Sequence, residues 1–515
     1  MATIGGMLFG FDISSMSAII DTEQYMTFFN NPAGIVQGII GASLALGSII
    51  GSALAGPLSD RIGRRDCIIF ACFWWLLGTA LQTAVDGTPM LIVGRIFNGV
   101  CIGFTSSQVP VYLAEIASKE ERGRVVIIQQ ISIQVGIILM FFMGYGCTFI
   151  PGPASFRTAW SLQFIPCVVL LCGLPFLPRS PRWLAKVDRG EEAVHILANI
   201  HANGNIDDPL VVAEWEEISQ ALELERSASK GWRMFVQNGM WRRTLAGFCV
   251  QMWQQNAGAN VITYYIVYIF KMANLTGNIL LVSSGVQYAL GLIFTSIMLF
   301  YIDKTGRRPL LIGGAIAMAL CHFVVGVALS GGEHIPGGID GNPNVVIRVT
   351  GHRAYTVIAF CYLLMVIYAM TLAPVTWIYS AEVWSLETRA TGMGIAAIGN
   401  WTFNFALGLY IPPGFRNISW GLFIVFGLMC CLAAAQAYFT YPETCNKSLE
   451  EIEILFSPGG PRPWNTKPGG SNLDELVTQA RDNKYKIDDV KGDELGGRGQ
   501  HVERVADIGS TPTLN

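Results

Sequence analysis

The chain has 515 residues, 52% of them hydrophobic and 14% charged, with a formal net charge of −3. Soluble domains carry about 25% charged residues, so this deficit, with a mean hydropathy of +0.43, excludes an ordinary soluble protein and points to a polytopic membrane protein. The 12 cysteines lie mostly inside apolar runs, and their spacing predicts neither a disulfide framework nor a metal site.

A membrane-spanning helix needs about 20 apolar residues to cross a ~30 Å hydrocarbon core. Twelve such runs are expected: 3–20, 35–57, 67–85, 90–113, 125–147, 158–177, 244–270, 280–302, 309–330, 354–379, 391–412 and 418–440. The first contains IGGMLFGFDIS, with Asp12 inside it. A carboxylate at that depth costs roughly 3 kcal/mol on insertion scales unless it is compensated. This run has no basic n-region and no small-residue cleavage site, so it does not read as a signal peptide. Met1 stands almost at its start, so the expected cytoplasmic anchor is very short or the sequence is clipped.

Between spans six and seven, 178–243 carries charged stretches such as EEAVHILANI and AEWEEISQALELE. Their apolar spacing predicts amphipathic helices at the cytoplasmic surface. After residue 456 the composition turns to Gly, Pro and mixed charge, and 457–515 reads as a disordered tail. Lys and Arg gather in the loops that face inward if the N-terminus is inside. The outward loops hold Arg157, Lys271, Arg348, Arg353 and Arg416. This bias predicts both termini in the cytoplasm.

Inner loops repeat between the two halves of the chain. GPLSDRIGRR (56–65) follows span two and FYIDKTGRRP (300–309) follows span eight. EIASKEERG (115–123) follows span four and EVWSLETRATG (382–392) follows span ten. PRSPR (178–182) follows span six and PETCN (442–446) follows span twelve. Two six-helix halves with matching loops mark a parallel repeat, as in transporters that rock about a midplane site. Positive-inside topology explains the bases but not acids at fixed spacing from them. An ion-pair clamp is therefore expected from Asp60, Arg64, Arg65, Glu115, Arg122, Asp303, Arg307, Arg308, Glu382, Arg389 and Glu443.

GPLSDRIGRR, the Glu-to-Arg-Gly spacing, PRSPRWL and YPET together resemble the sugar porter family of the major facilitator superfamily. FGFDISSMSAII and QGIIGASLALGSIIGS are most similar to fungal high-affinity hexose transporters. The resemblance covers about residues 4–456. It departs from the family at PRSPR, where Arg179 replaces an acid of PESPR, and at PETCN, where the family has PETKG.

A sugar offers many hydroxyls and one apolar face, so a site for it needs amides and an aromatic platform. Spans five, seven and eleven carry Gln129, Gln130, Gln134, WQQNAGANVITYY and GNWTFNF, and span ten carries Trp377. Spacing alone leaves these amides open between sugar contacts and hydrogen bonds that join helices. The resemblance implies Gln130, Gln254, Gln255, Asn260 and Asn400 as sugar-binding amides, Trp377 as an aromatic wall, and Tyr264 and Tyr265 as an outer gate. In span eight the family often has an asparagine where this chain has Gly291, one turn from Gln287. His322, alone in span nine, reads as a structural hydrogen-bonder rather than a proton relay.

Arg95 in span four is the other clear charge inside a span. Asp12 and Arg95 meet in the outer half of the bilayer under the expected topology, each offsetting the other's desolvation. The pair reads as a static ion pair or as a proton switch, and the resemblance to proton-coupled members favours the switch.

The domains expected are a six-helix half (1–177), a cytoplasmic linker (178–243), a second half (244–441), a clamp segment (442–456) and the tail. The function expected is proton-coupled uptake of a monosaccharide, a hexose such as glucose, by a monomer in the plasma membrane. A passive facilitator and a non-transporting sugar sensor are the alternatives. Monosaccharide, proton and lipid bilayer are the expected partners. No motif calls for a cofactor, a metal, nucleic acid or an enzymatic reaction.

Overall fold

The structure, a computed structural model, describes residues 1–469 apart from 18, 20–21, 31–34, 118–120, 227–234, 237–239, 276–277, 337, 340–344, 386–387, 449–450 and 458. The described chain is almost entirely helical. In its first part the helices are α1 (Ile4–Ser17), α2 (Glu23–Phe28), α3 (Ile35–Ile62), α4 (Arg64–Thr83), α5 (Thr88–Ile116), α6 (Arg122–Cys147), α7 (Ala154–Ser161) and α8 (Phe164–Gly173). The linker forms α9 (Pro181–Lys186), α10 (Gly190–His201) and α11 (Pro209–Arg226). The rest comprises α12 (Met240–Asn256), α13 (Ala259–Met272), α14 (Asn278–Met298), α15 (Ile302–Thr305), α16 (Arg307–Ser330), α17 (His352–Met370), α18 (Leu372–Glu382), α19 (Arg389–Asn417), α20 (Gly421–Thr440) and α21 (Glu451–Phe456).

Every expected span coincides with helix. Among the described residues, eight helical stretches are long and apolar enough to cross a membrane. α1 and α14 are apolar but shorter. Spans seven and eleven, which carry the densest amides, fall outside both groups.

Three expected single helices are broken, each for a local reason. Span six breaks between α7 and α8, where Pro166 has no N–H for the Leu162 carbonyl. Span ten breaks at Thr371 (φ −126°, ψ −89°), and Pro374 likewise has no N–H for the Met370 carbonyl. Span seven breaks at Ala257 and Gly258, with Gly258 left-handed at φ +77°.

Close packing comes from small residues. A Cβ on Gly47 or Gly51 of α3 would lie 2.1 or 2.2 Å from the Ile96 or Val100 carbonyl of α5. On Gly99 or Gly103 of α5 it would meet the Leu44 or Ser48 carbonyl of α3 at 2.1 or 2.3 Å. Two facing GxxxG pairs thus bring these backbones into contact, the usual solution where apolar tails remove the hydrophobic drive.

Two features depart from the sequence reading. A two-stranded antiparallel hairpin, β1 (Glu333–His334) and β2 (Ile347–Arg348), joins α16 to α17. The segment after 456 is not wholly free. Thr466 Oγ1 accepts from the Glu443 N–H at 2.8 Å, and the Gly469 N–H donates to the Cys445 carbonyl at 3.0 Å. These bonds satisfy backbone groups of the PETCN segment, and they tie 457–469 to it. The rest of the expected tail, 471–515, lies outside the described residues.

Candidate functional site

A cavity with about 690 Å³ of empty space, part of it open to solvent, lies among α1, α6, α12, α13, α14, α17 and α18. Gln130, Gln254, Gln255, Asn260, Tyr264 and Trp377 all line it.

Asn400 does not line the cavity. It stands behind the wall and aligns it: Asn400 Nδ2 donates to Gln251 Oε1 and Gln254 Oε1, both at 2.7 Å, and its Oδ1 accepts from Gln255 Nε2 at 2.9 Å. Gln255 Oε1 in turn accepts from Asn260 Nδ2 and, at 3.1 Å, from Asn404 Nδ2. Thus the two sequence readings of the amides meet in one network, because the glue residues orient those that face the cavity. Tyr265 turns away, with its ring 5.5 Å from Tyr268 and 5.9 Å from Phe415.

Sequence reasoning missed part of the wall. Phe9, Ile13, Thr263, Tyr288 and Tyr368 line the cavity too. Only Tyr288, next to Gln287, carried a polar-aromatic signal. Gly291 also lines the cavity, where an added Cβ would lie 3.2 Å from Gln134 Oε1. Gln287 reaches the same wall and donates to Thr263 Oγ1 at 3.4 Å.

Asp12 and Arg95 meet as expected: Arg95 Nη2 lies 3.5 Å from Asp12 Oδ2, with the carboxylate fully buried and the guanidinium 4% exposed. Nearby, Asn98 Nδ2 donates to Gln163 Oε1 at 3.2 Å. Phe9 and Ile13 of α1 face the cavity while Asp12 faces α5. One short helix therefore touches both the cavity and the ion pair.

The GRR loops build two matching clusters. In the first, Arg64 Nε lies 3.1 Å from Glu115 Oε2 and Nη1 lies 3.4 Å from Asp60 Oδ1. In the second, Arg307 Nη2 lies 3.3 Å from Glu382 Oε1 and 3.0 Å from Asp303 Oδ1. The third loop pair completes them, since Ser180 Oγ donates to Glu115 Oε2 at 2.6 Å and Thr444 Oγ1 to Glu382 Oε2 at 2.7 Å. The clusters also cross between repeats. Arg389 Nη1 lies 3.7 Å from Glu115 Oε1, Thr391 Oγ1 donates to Asp60 Oδ2 at 3.3 Å, and the Arg124 N–H donates to Asp303 Oδ2 at 3.0 Å.

The second arginine of each loop behaves differently from the first. Arg65 pairs with Asp66 at 2.9 Å and donates to the Leu177 carbonyl at 3.0 Å. Arg308 donates to the Tyr438 carbonyl at 2.9 Å. Glu443 accepts backbone N–H groups of Arg307 and Arg308 at the start of α16, at 2.8 and 3.1 Å. The Arg122 side chain lies outside the described part of the structure.

The profile of the family described as "Sugar (and other) transporter" matches residues 1–456. The chain belongs to this family. It is similar to the high-affinity glucose transporter of Kluyveromyces lactis, at 41% identity over 98% of this chain and 91% of the relative. It is also similar to the high-affinity glucose transporter 1 of Candida albicans, at 43% identity over 91% and 86% of the two chains. Among solved structures it is similar to the proton:xylose symporter XylE bound to 6-bromo-6-deoxy-D-glucose. The TM-score is 0.77 at 27% identity, over 88% of this chain and 98% of that one. Against the inward-open form of XylE from E. coli the TM-score is 0.63, at 26% identity over the same shares. This member of the family therefore has the all-α major facilitator fold of a multi-pass sugar transporter and is not an enzyme.

Proposed function

We propose that the transporter takes up a monosaccharide, a hexose with glucose the first candidate, in symport with a proton. It works by alternating access, as a monomer in the plasma membrane with both termini in the cytoplasm. The observation that carries this reading is the double contact of α1, which gives Phe9 and Ile13 to the amide-lined cavity and Asp12 to Arg95. A change of charge on Asp12 alters its hold on Arg95, and the same helix bears on the sugar. The printed names of the relatives, glucose transporters and a proton:xylose symporter, support the same reading.

In this reading Gln130, Gln254, Gln255 and Asn260 bind hydroxyls, Trp377 stacks on the apolar face, and Asn400 orders the amides. Tyr264 closes the outer side, while Tyr265 acts through the packing of α13. The halves are 1–177 and 244–441. The crossed clusters of Glu115, Arg389, Asp60 and Asp303 form the inner clamp, closed in this conformation. The lower similarity to the inward-open form of XylE supports that assignment.

The test is labelled-sugar uptake in transporter-null cells, with and without a protonophore, for wild type and Asp12→Asn. Symport predicts accumulation above equilibrium that the protonophore abolishes and the variant lacks, with sugar exchange retained. Concentrative, pH-dependent uptake in Asp12→Asn sinks the proton role. Wild-type uptake that never exceeds equilibrium indicates a facilitator, and binding without uptake a sensor.

A further inference from the structure

Span seven carries amides on both sides of its break. Gln254 and Gln255 end α12, and Asn260, Thr263 and Tyr264 open α13. The cavity therefore depends on the angle between the two helices. The break itself is a left-handed glycine, Gly258 at φ +77°, which leaves the Ala257 carbonyl without the donor that a continuous helix would supply.

A side chain from another helix takes that carbonyl. His322 of α16, fully buried, places Nε2 2.8 Å from the Ala257 oxygen. A carbonyl only accepts, so Nε2 carries the proton. The ring sits between Phe423 and Phe426 of α20, with centroids 6.1 and 5.8 Å away. Cys430 of the same helix directs its thiol to the same carbonyl at 3.7 Å. The fit leaves no room for a larger residue at the break, because a Cβ on Gly258 would lie 2.8 Å from His322 Cε1, His322 Nε2 and Phe426 Cγ.

We infer that His322 is a positioning residue for sugar binding: it anchors the pivot of span seven and so sets how the amides of α12 and α13 meet the sugar. His322 is not among the residues lining the cavity and acts through Ala257 and Gly258. The anchor holds a fixed point between α16 and α20 about which α13 turns. The inference rests on the sugar-binding role of the cavity proposed above.

Three variants test it, each read as sugar KM and maximal uptake rate at matched surface level. His322→Leu removes the donor, and its KM is expected to rise about tenfold, the weight of one lost hydrogen bond, with maximal rate within about twofold. His322→Gln keeps an N–H near the position of Nε2 and is expected to stay within about threefold of wild type. Gly258→Ala leaves the donor but fouls its seat, and is expected to shift KM in the same direction as His322→Leu. Equal KM in the Leu and Gln variants overturns the inference. So does a wild-type KM in Gly258→Ala, whether or not the Leu variant reaches the membrane. If the wild type neither binds nor carries sugar, the proposed function fails instead.

Discussion

Arg389 Nη1 lies 3.7 Å from Glu115 Oε1, although the two residues belong to opposite sequence repeats. Both side chains are fully buried, and Arg64 and Ser180 hold the same carboxylate. One acid thus serves a cation from each half of the chain. Glu115→Ala removes the one carboxylate that Arg64 and Arg389 share, leaving Arg64 with Asp60 alone, and is expected to lower stability by about 3–5 kcal/mol. Arg389→Ala cuts the contact to Glu115 and a bond to the Trp384 carbonyl but leaves Glu115 with Arg64 and Ser180, and its loss is expected to be smaller. Thermal midpoints in detergent should rank the two variants in that order, and equal midpoints would reject this reading of Glu115.

Asn400 orders three glutamines without lining the cavity. Asn400→Leu leaves the oxygens of Gln251 and Gln254 and the amide of Gln255 unmet. Sugar KM is expected to rise by about tenfold or more, at normal surface level. A KM within twofold of wild type would show that the glutamines hold their orientation without it.

The third loop pair is asymmetric in chemistry. Glu443 is buried and accepts the N–H groups of Arg307, Arg308, Thr444 and Cys445. Arg179, at the matching place, pairs with Asp66 at 2.9 Å and is about a third exposed. An exposed pair is worth about 0–1 kcal/mol, whereas several backbone donors stranded in the interior cost about 1–3 kcal/mol each. Glu443→Ala should therefore destabilise far more than Arg179→Ala in the same unfolding assay.

Cys445 lies inside the second cluster, where Arg307 Nη1 approaches its sulfur at 3.0 Å and its thiol points to the Asp303 carbonyl at 3.3 Å. Burial pushes the thiol up to about 11, outweighing the pull of Arg307. The thiolate is the reactive form, so at pH 7 alkylation is expected to be slow. Its rate should rise about tenfold per pH unit as the thiolate fraction grows toward that value. Peptide mass spectrometry of maleimide-treated protein measures it. Fast labelling at neutral pH would mean that the cluster opens readily.

Composition and hydrophobic run length determine much by themselves. They place the helices and the linker, because crossing a bilayer requires about 20 apolar residues. Charges too costly for a membrane must find partners, which is why Asp12 and Arg95 could be paired from sequence. The repeat made the clusters around Arg64 and Arg307 legible for the same reason.

Other features depend on position in space. Ser180 and Thr444 look like ordinary loop hydroxyls until they stand against Glu115 and Glu382. Phe9, Ile13 and Tyr368 look like lipid-facing or packing residues until α1 and α17 bring them to the cavity. Asn400 and Gln255 are equally polar, and nothing in their local sequence says which faces the sugar cavity and which stands behind it. That choice depends on helix rotation and on the break at Gly258. Both are settled by packing between helices, which no single stretch of sequence contains.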